Sequence, residues 1–401
     1  MIDKHYDVLS IREYFPSDQN PSSSTWVYNI SYGLQQTGIR PIVLSPTAIV
    51  PSWLKYLIEL NHTWKTPPSI KVDSYKSIDV IRPGFSKFPN KFLFPYNINS
   101  LTNCITRYGA QFNVRLLHAH FGHAGVSALR LKRKKEIPLI TSFYGFDLGG
   151  DKDRLKPYYK SLSFSGDLFL ALSNDMANDL IDLGFPSNKI LIHKLGIDLD
   201  NFIPLNITNN KDKFVFLTVA TFSERKGIHY TIQAFKAFKE QVKIGGCELR
   251  IIGDGPYREK LYEYARGEKD IVFINNHTAE NPRDLIKCEM QMCDVFMLNS
   301  ITLQNSDKEG TPIVLMEAQA CGKPCISSYH AGISEVVIDG ETGFLCSERS
   351  VSKISDAMLT LYSNPEMRKK FGNNARQHIT QNYNNARQIL LLKEIYNELL
   401  K

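Results

Sequence analysis

The stretch that decides the fold is VFMLNSITLQNSDKEGTPIVLMEAQACGKPCISS, residues 295–328. It opens with an apolar run typical of a buried strand and closes with another, residues 324–328. Thr311 followed by Pro312 predicts a helix start with a hydroxyl cap, and the apolar residues that follow predict a buried helix as far as Cys321. A strand, a helix and a second strand in this order form a unit of parallel sheet, so the stretch predicts an α/β fold.

The same alternation extends outward from this unit along most of the chain. Apolar runs without polar alternation, typical of strands buried on both faces, occur at residues 6–11, 41–46, 115–121, 138–144, 168–173, 190–196, 214–220, 249–252 and 271–274. The polar segment 203–212 interrupts the pattern and is interpreted as a linker. We therefore predict two Rossmann-like, doubly wound parallel-sheet domains that face a cleft, residues 1–203 and 204–380, followed by a helical end, residues 381–401.

Composition excludes several classes of protein. Apolar residues make up 43% of the 401 residues and charged residues 22%, which is typical of a folded globular chain and excludes disorder. No apolar run is long enough to span a membrane, and the first ten residues lack the apolar core of a signal peptide. Seven cysteines without a CxxC pair favour reduced thiols and a cytoplasmic location. A net charge of +7 without a recognised motif argues against nucleic acid as a partner.

Two glutamates lie at the predicted helix of residues 312–321. Glu309 precedes the helix, whereas Glu317 lies inside it among apolar side chains. A buried carboxylate is costly unless a partner satisfies it, and a pair of ribose hydroxyls is a suitable partner. The alternative is structural, with Glu309 at the helix cap and Glu317 paired with a buried Lys or Arg. The residues that would face an anion at the helix start are Gly310, Thr311, Pro312 and Ile313.

Two turns follow the first strands of the second domain. Arg225 and Lys226 stand before a predicted helix at Gly227, an arrangement that suits a diphosphate. A solvated basic turn is the alternative. Gly253 and Asp254 lie in the next turn, where glycine permits close approach of a ligand to the backbone, although GDG is also a common turn.

In the first domain, polar side chains stand at the ends of two successive strands. His118 and His120 point to the same side of one strand, and Tyr144 and Asp147 follow the next. One alternative is a sheet end lined by histidines whose hydrogen bonds are satisfied within the protein. A metal site is another, but His-x-His with no carboxylate nearby in sequence is a poor metal signature. We predict no metal ligands and a cleft lined by polar groups of both domains.

Taken in order and at their spacing, these motifs resemble those of retaining glycosyltransferases of family 4. The signature of that family is EGxPxxxxEA, here EGTPIVLMEA at residues 309–318. Further strings that carry the resemblance are KLGIDLDNF (194–202), RKG (225–227), IIGDGP (251–256), ACGKPCI (320–326), HAGISEVV (330–337) and DGETGFL (339–345). The strings HAHFG and SFYGFD resemble the exopolysaccharide and lipopolysaccharide branch of the family.

The resemblance implies the GT-B fold, in which the first domain binds an acceptor and the second a nucleotide sugar. It also implies that the last helix crosses back to the first domain. The expected activity is metal-independent transfer, with retention of configuration, from a UDP- or GDP-sugar to a saccharide or lipid-linked saccharide acceptor. Cell-surface polysaccharide biosynthesis is the expected setting, with the nucleotide sugar as co-substrate and no cofactor.

Carried over residue by residue, the resemblance also implies roles. Glu309 would hold hydroxyls of the donor sugar, Glu317 the ribose and Lys226 the diphosphate. His120 would lie beside the transferred sugar, so that the expected catalytic set is His120, Glu309 and Lys226. The expected acceptor side consists of His118, Tyr144 and Asp147, and the remaining donor-binding residues are Arg225, Gly253, Asp254, Gly310, Thr311, Pro312 and Ile313.

Two departures from the family pattern keep an alternative open. Thr221 stands where members often have Arg, and Tyr144 where many have His. A non-catalytic sensor or scaffold that binds nucleotide sugars is therefore the second hypothesis. A dinucleotide-dependent oxidoreductase ranks lower, because no full GxGxxG follows a first strand.

A basic run closes one predicted helix of the first domain. It consists of Arg130, Lys132, Arg133, Lys134 and Lys135. Positive charge is favourable at a helix C-terminus, and a solvated helix end is the favoured interpretation. The alternative is peripheral association with an anionic membrane on its inner face.

Overall fold

Two parallel sheets, one from each half of the chain, form the framework of the protein. The structure, a computed structural model, describes residues 5–20, 25–49, 69–88, 94–205, 213–242, 246–275, 281–304 and 308–401. The inner strands of both sheets are short, apolar and almost completely buried, as expected when helices cover both faces of a parallel sheet. The predicted α/β class with two doubly wound domains is confirmed. Most of the predicted linker, residues 203–212, lies outside the described residues.

The first sheet has eight strands. In spatial order they are β10 (Ile190–Ile192), β9 (Leu168–Ala171), β8 (Leu139–Ser142), β7 (Leu116–His120), β1 (Val8–Ile11), β2 (Pro41–Leu44), β5 (Ile78–Arg82) and β4 (Ser69–Tyr75). All neighbours are parallel except β4 and β5. A separate parallel pair consists of β3 (Thr47–Ile49) and β6 (Gly84–Ser86). The chain reverses its direction of travel across the sheet between β1 and β7, where an open α/β sheet leaves a crevice.

The second sheet has six parallel strands. In spatial order they are β13 (Ile271–Ile274), β12 (Cys247–Ile252), β11 (Phe214–Val219), β14 (Val295–Leu298), β15 (Cys325–Ser328) and β16 (Gly343–Cys346). This is the order 3-2-1-4-5-6 of a dinucleotide-binding sheet. Its reversal point lies between β11 and β14, so the loops after these two strands meet at the crevice. Those loops carry Lys226 and Glu309.

Helices cover the sheets. Those of the first half are α1 (Thr25–Gln36), α2 (Phe94–Gly109), α3 (Gly122–Lys135), α4 (Gly145–Leu148), α5 (Lys152–Ser165) and α6 (Asn174–Asp182). Those of the second half are α7 (Ile228–Val242), α8 (Arg258–Ala265), α9 (Pro282–Met292), α10 (Ile313–Ala320), α11 (Ile333–Val336), α12 (Val351–Ser363), α13 (Pro365–Asn382) and α14 (Asn385–Leu399). α10 is apolar nearly all round and is buried over its last six residues, as its sequence predicts.

The antiparallel hairpin of β4 and β5 was not predicted. Its strand β4 mixes polar and apolar residues, and the turn consists of Lys76 and Ser77, both at positive φ. Such a two-residue turn is normally signalled by Asn-Gly or Asp-Gly, because those residues tolerate positive φ. Lys-Ser gives no such signal.

The C-terminal helix α14 packs on the first domain. Ile389 of α14 lies so close to Gly33 of α1 that a Cβ built on the glycine would be 2.6 Å from the Ile389 Cγ1 atom. Seven residues further on, the hydroxyl of Tyr396 lies 2.6 Å from Nδ1 of His118 on β7. Both side chains are buried. The helix therefore covers the sheet beside α1 and satisfies a ring nitrogen that water does not reach.

We predict that Tyr396→Phe destabilises the fold through His118. The substitution keeps the packed ring but leaves Nδ1 of His118 without its partner, which costs about 1–3 kcal/mol for a buried polar atom. The control is Tyr362→Phe, because the Tyr362 ring packs against Phe214 and Phe238 and its hydroxyl bonds no described residue. Urea unfolding followed by circular dichroism measures both. Equal losses in the two variants would contradict the role given to the hydroxyl.

Candidate active site

A largely buried ion pair joins the loops that leave β11 and β14. After β11, a single 3-10 turn, Glu224–Lys226, ends at Gly227, whose φ of 61° is a left-handed conformation that favours glycine. Lys226 Nζ pairs there with Oε2 of Glu309, and both side chains are largely shielded from solvent. Burial would raise the pKa of Glu309, but the charges of Lys226 and Arg225 outweigh it and hold that pKa below its ordinary value.

Arg225 also contacts the Glu309 loop. Its Nη1 donates to the carbonyl oxygen of Lys308 at 3.1 Å, and its own carbonyl accepts from the N–H of Ile301 at 2.8 Å. Two cations and a carboxylate thus meet at the reversal point of the second sheet. The predicted donor-binding residues Arg225, Lys226 and Glu309 are brought together.

Glu317 has one satisfied and one unsatisfied oxygen. It lies in α10, where its side chain is 1% exposed, and Oε1 pairs with the guanidinium of Arg283 from α9. Oε2 is buried and bonds to no described residue. Burial raises the pKa of Glu317 against the opposing charge of Arg283. The structural alternative is thus met in part, because Glu317 has an arginine partner but the Arg283 side chain is 54% exposed.

The start of α10 differs from the prediction. The helix begins at Ile313, because Pro312 has an extended ψ of 114° and occupies the cap position itself. The hydroxyl of Thr311 makes no cap hydrogen bond, and it is buried without a partner among the described residues. The prediction that Thr311 caps this helix is therefore wrong.

The Glu309 loop also lies against the first domain. A Cβ built on Gly145, at the start of α4, would be 2.9 Å from the backbone N of Gly310. Next to Glu309, Nζ of Lys308 lies 2.7 Å from carboxylate oxygens of Asp175 and Asp179 on α6. The loop is therefore part of the interface between the two domains.

The turn after β12 is held by contacts within the protein. Gly253 has a φ of 148°, and a Cβ on it would lie 1.9 Å from the carbonyl oxygen of Ala220. Oδ1 of Asp254 accepts from the N–H of Gly255 at 2.6 Å and pairs with Arg258 at 2.5 Å. Packing of two loops thus accounts for the glycine, and donor binding by Gly253 and Asp254 stays a prediction.

His118 and His120 are buried side by side, with their ring centroids 4.2 Å apart. Nε2 of His118 lies 2.7 Å from the hydroxyl of Ser142. Nδ1 of His120 lies 2.8 Å from the hydroxyl of Tyr144 and Nε2 lies 3.1 Å from that of Ser10. Burial lowers the pKa of both rings, that of His118 to about 3. The rings are neutral at physiological pH and bonded to protein hydroxyls, so the catalytic role of His120 stays a prediction.

Asp147 holds two backbone segments together. Its Oδ1 accepts from the N–H of Gly122 and its Oδ2 from that of Tyr144, each at 2.9 Å. Burial raises the pKa of Asp147 to about 6, against the charge of His123 and these hydrogen bonds. The predicted acceptor-side residue is therefore a buried carboxyl at the N-termini of α3 and α4.

Asp147 also lines a cavity that the sequence did not indicate. The cavity measures about 860 Å³ and opens to solvent in the first domain. Its wall includes the rings of Phe121 and Tyr158 and the polar side chains of Glu13 and His123. Nε2 of His123 lies 3.0 Å from Oε2 of Glu13, and its Nδ1 lies 4.0 Å from Oδ1 of Asp147. Because Gly145 of the same short helix contacts Gly310, the cavity is adjacent to the Glu309 loop.

Sequence reasoning missed Glu13, His123, Lys308 and Arg283 as members of these clusters. HAHFGHAG contains His123, but its partner Glu13 is 110 residues away. Lys308 stands next to the EGxP signature and Arg283 in a helix of mixed composition. Neither position has a motif that identifies its partner.

The basic run at the end of α3 is largely engaged. Lys132 pairs with Asp167 at 2.8 Å, Lys135 donates to the carbonyl of Phe112 at 2.7 Å, and Arg130 bonds Asn103. Arg133 and Lys134 remain exposed. Membrane association stays a prediction.

None of the described helices is long and apolar enough to cross a membrane. No group of three His, Cys, Asp or Glu side chains within the described ranges could hold a metal ion.

Two family models cover most of the chain. Residues 23–201 match the model "Glycosyltransferase Family 4", and residues 202–378 match "Glycosyl transferases group 1". The chain is a member of glycosyltransferase family 4. AmsK of Erwinia amylovora, an amylovoran biosynthesis glycosyltransferase, is 31% identical over 68% of this chain and 70% of its own length.

WcaL of Escherichia coli, whose name assigns it to colanic acid biosynthesis, is 31% identical over 62% of this chain. The match spans 61% of the length of WcaL.

Solved structures of other proteins share the fold. A sucrose-phosphate synthase from Thermosynechococcus elongatus superimposes with a TM-score of 0.76, at 17% identity, over 98% of this chain and 99% of its own. HepE of Anabaena in complex with UDP and glucose superimposes with a TM-score of 0.72, at 16% identity, over 98% of this chain and 100% of its own. The expected GT-B fold is confirmed.

Asp147 gives a pH-dependent prediction. Its pKa of about 6 in the folded protein exceeds the ordinary 3.8, so the folded state binds its proton more tightly than the unfolded chain does. The contribution of Asp147 to the free energy of unfolding therefore falls as pH rises from about 4 to 6 and is constant above. We expect the wild-type free energy of unfolding minus that of Asp147→Asn to fall across this window.

Urea unfolding at several pH values from 4 to 8 measures this difference. Asparagine has one accepting oxygen fewer than aspartate, and this changes the free energy of unfolding by an amount that does not depend on pH. Asp200→Asn, at an exposed position, is the control and should give a flat difference. A flat difference for Asp147→Asn as well would contradict the assigned pKa.

Proposed function

We propose that the protein is a retaining, metal-independent glycosyltransferase. It transfers a sugar from a UDP- or GDP-sugar to a saccharide or lipid-linked saccharide acceptor in the biosynthesis of a cell-surface polysaccharide. The names of AmsK and WcaL, which refer to amylovoran and colanic acid biosynthesis, support the polysaccharide setting. The observation that carries the proposal is the largely buried ion pair of Lys226 and Glu309 between the loops of β11 and β14.

A nucleotide sugar matches the charges of this site. Its diphosphate takes the place of Glu309 beside Lys226 and Arg225, and the released carboxylate accepts hydroxyls of the sugar. Oε2 of Glu317, buried and without a partner among the described residues, accepts a ribose hydroxyl. The complex of HepE with UDP and glucose shows that a protein of this fold binds such ligands.

The reaction needs no protein base in this proposal. The acceptor hydroxyl attacks the anomeric carbon on the face from which the nucleotide diphosphate departs. The bond from that carbon to the phosphate oxygen breaks, the new glycosidic bond forms, and the phosphate oxygen takes the proton of the hydroxyl. Lys226 and Arg225 stabilise the charge on the departing diphosphate, so the protein supplies position and electrostatic stabilisation.

We expect Glu309→Gln to abolish transfer while the fold survives. An amide keeps the shape but loses one acceptor for the sugar hydroxyls, and loss of a group of this kind lowers the rate by about 100-fold or more. The donor is first chosen among UDP-glucose, UDP-galactose, GDP-mannose and GDP-fucose as the one that raises the melting temperature of the protein most. Turnover is then measured as release of UDP or GDP from that donor.

Glu341→Gln, at an exposed position of the same domain, is the control and should leave turnover unchanged. Unchanged turnover of Glu309→Gln would remove the support for the proposal. A wild-type protein that binds a donor but neither transfers nor hydrolyses it would favour the sensor or scaffold hypothesis.

The cavity of the first domain is the proposed acceptor site. Aromatic rings such as Phe121 and Tyr158 pack against the apolar faces of sugar rings, and the carboxylates of Glu13 and Asp147 accept hydroxyls. Lys87 and Arg154 also line the cavity and suit an anionic linkage such as a diphosphate. The contact of Gly145 with Gly310 places this cavity next to Glu309.

We predict that Ile98→Trp weakens acceptor binding alone. Ile98 of α2 is half-buried and lines the cavity, so the larger side chain occupies space that the acceptor needs. With a cell-surface glycan extract as acceptor, transfer should need a higher acceptor concentration, while donor affinity stays constant. Asn99→Trp, at the exposed neighbouring position, is the control. A parallel loss of donor affinity would contradict an acceptor role.

A further inference from the structure

His330 is a buried side chain behind the Glu309 loop. Its Nε2 accepts a hydrogen bond from the backbone N–H of Glu309 at 2.8 Å. The His330 side chain has no exposed surface. It belongs to the string HAGISEVV, which follows β15.

This hydrogen bond fixes the tautomer of His330. Because Nε2 accepts, the proton of the neutral ring is on Nδ1, which donates to Oε1 of Glu348 at 2.6 Å. The Glu348 carboxylate in turn accepts from the N–H and the hydroxyl of Thr302, each at 2.9 Å, and from Arg349 at 2.9 Å. Burial would raise the pKa of Glu348, but the hydrogen bonds from His330 and Thr302 outweigh it and keep this pKa low. The carboxylate is thus a fixed acceptor.

The chain of hydrogen bonds connects three neighbouring strand ends. Thr302 follows β14, His330 follows β15 and Glu348 follows β16. These strands are adjacent in the sheet, so the loops are anchored on a rigid element. The far end of the chain is the backbone of Glu309, whose side chain meets Lys226.

We propose that His330, oriented by Glu348, is a positioning residue that fixes the backbone of Glu309 so that its carboxylate meets the hydroxyls of the donor sugar. The inference rests on the proposed function and deepens it. His330 touches neither sugar nor nucleotide in this arrangement. A group on a loop needs support of this kind, because a displacement of about 1 Å is enough to lower a rate about 100-fold.

The test distinguishes the contribution of the sugar to donor affinity from that of the nucleotide. Two affinities are measured by calorimetry for each variant, that for the nucleotide sugar selected by the melting-temperature screen and that for its nucleotide diphosphate alone. In His330→Leu the affinity for the diphosphate should stay within about twofold, whereas the affinity for the nucleotide sugar should fall about tenfold, the loss expected for one hydrogen bond to a charged group. Donor hydrolysis should fall at least as much.

His330→Gln is the conservative variant, because its side-chain oxygen can accept from the Glu309 N–H. It should restore most of the sugar-dependent affinity. The matched control is His378→Leu, since His378 bonds the carbonyl of Glu335 at 3.0 Å in the same domain and lies outside the hydrogen-bond chain. This control should leave both affinities unchanged.

Equal losses of both affinities in His330→Leu would overturn the positioning role, since a structural defect affects both ligands alike. If His330→Leu does not fold, the same two affinities are measured for Glu348→Ala, which keeps His330 but removes the partner that orients it. Unchanged sugar-dependent affinity in Glu348→Ala would then overturn the proposal. A wild-type protein that binds no nucleotide sugar would overturn the proposed function itself, and that outcome is distinct from the other two.

Discussion

The ion pair of Lys226 with Glu309 is the interaction on which the rest of the site depends. Both charges are largely withdrawn from water, so each needs a partner of opposite charge or strong hydrogen bonds at all times. Removal of one member of such a pair leaves the other without its opposite charge, which is unfavourable. A ligand that separates the pair therefore has to satisfy both members, the cation with an anionic group and the carboxylate with hydroxyls. Nucleotide sugars carry both kinds of group in one molecule.

The segment 308–310, which carries Glu309, is held by contacts on three sides. Lys308 ties it to α6 of the first domain, Arg225 to the turn after β11, and His330 to the loop after β15. Gly310 meets Gly145 so closely that a Cβ on either would lie 2.9–3.0 Å from the backbone of the other and would force a local shift. The position of this segment is therefore coupled to the contact between the two domains.

Local pattern was enough to predict the framework, because strands buried on both faces are recognisable as continuous apolar runs. Local pattern did not predict the structure at two turns. The turn at Lys76 and Ser77 has positive φ without glycine or asparagine, and the Thr311-Pro312 pair reads as a helix cap although Pro312 has an extended ψ. The side-by-side placement of His118 and His120 followed from the strand period. Their partners Tyr396 and Ser10 are 278 and 110 residues away, and only the packed domain brings them together.

Glu317 does not meet the requirement for a purely structural carboxylate. The presence of an arginine partner does not decide the matter, because a carboxylate has two oxygens and a structural role requires both to be satisfied. Arg283 reaches one oxygen from a half-exposed position, and the other is buried without a bond to any described residue. In the proposed function a hydroxyl of the ligand satisfies this acceptor, so the burial of Glu317 favours a ligand that can donate.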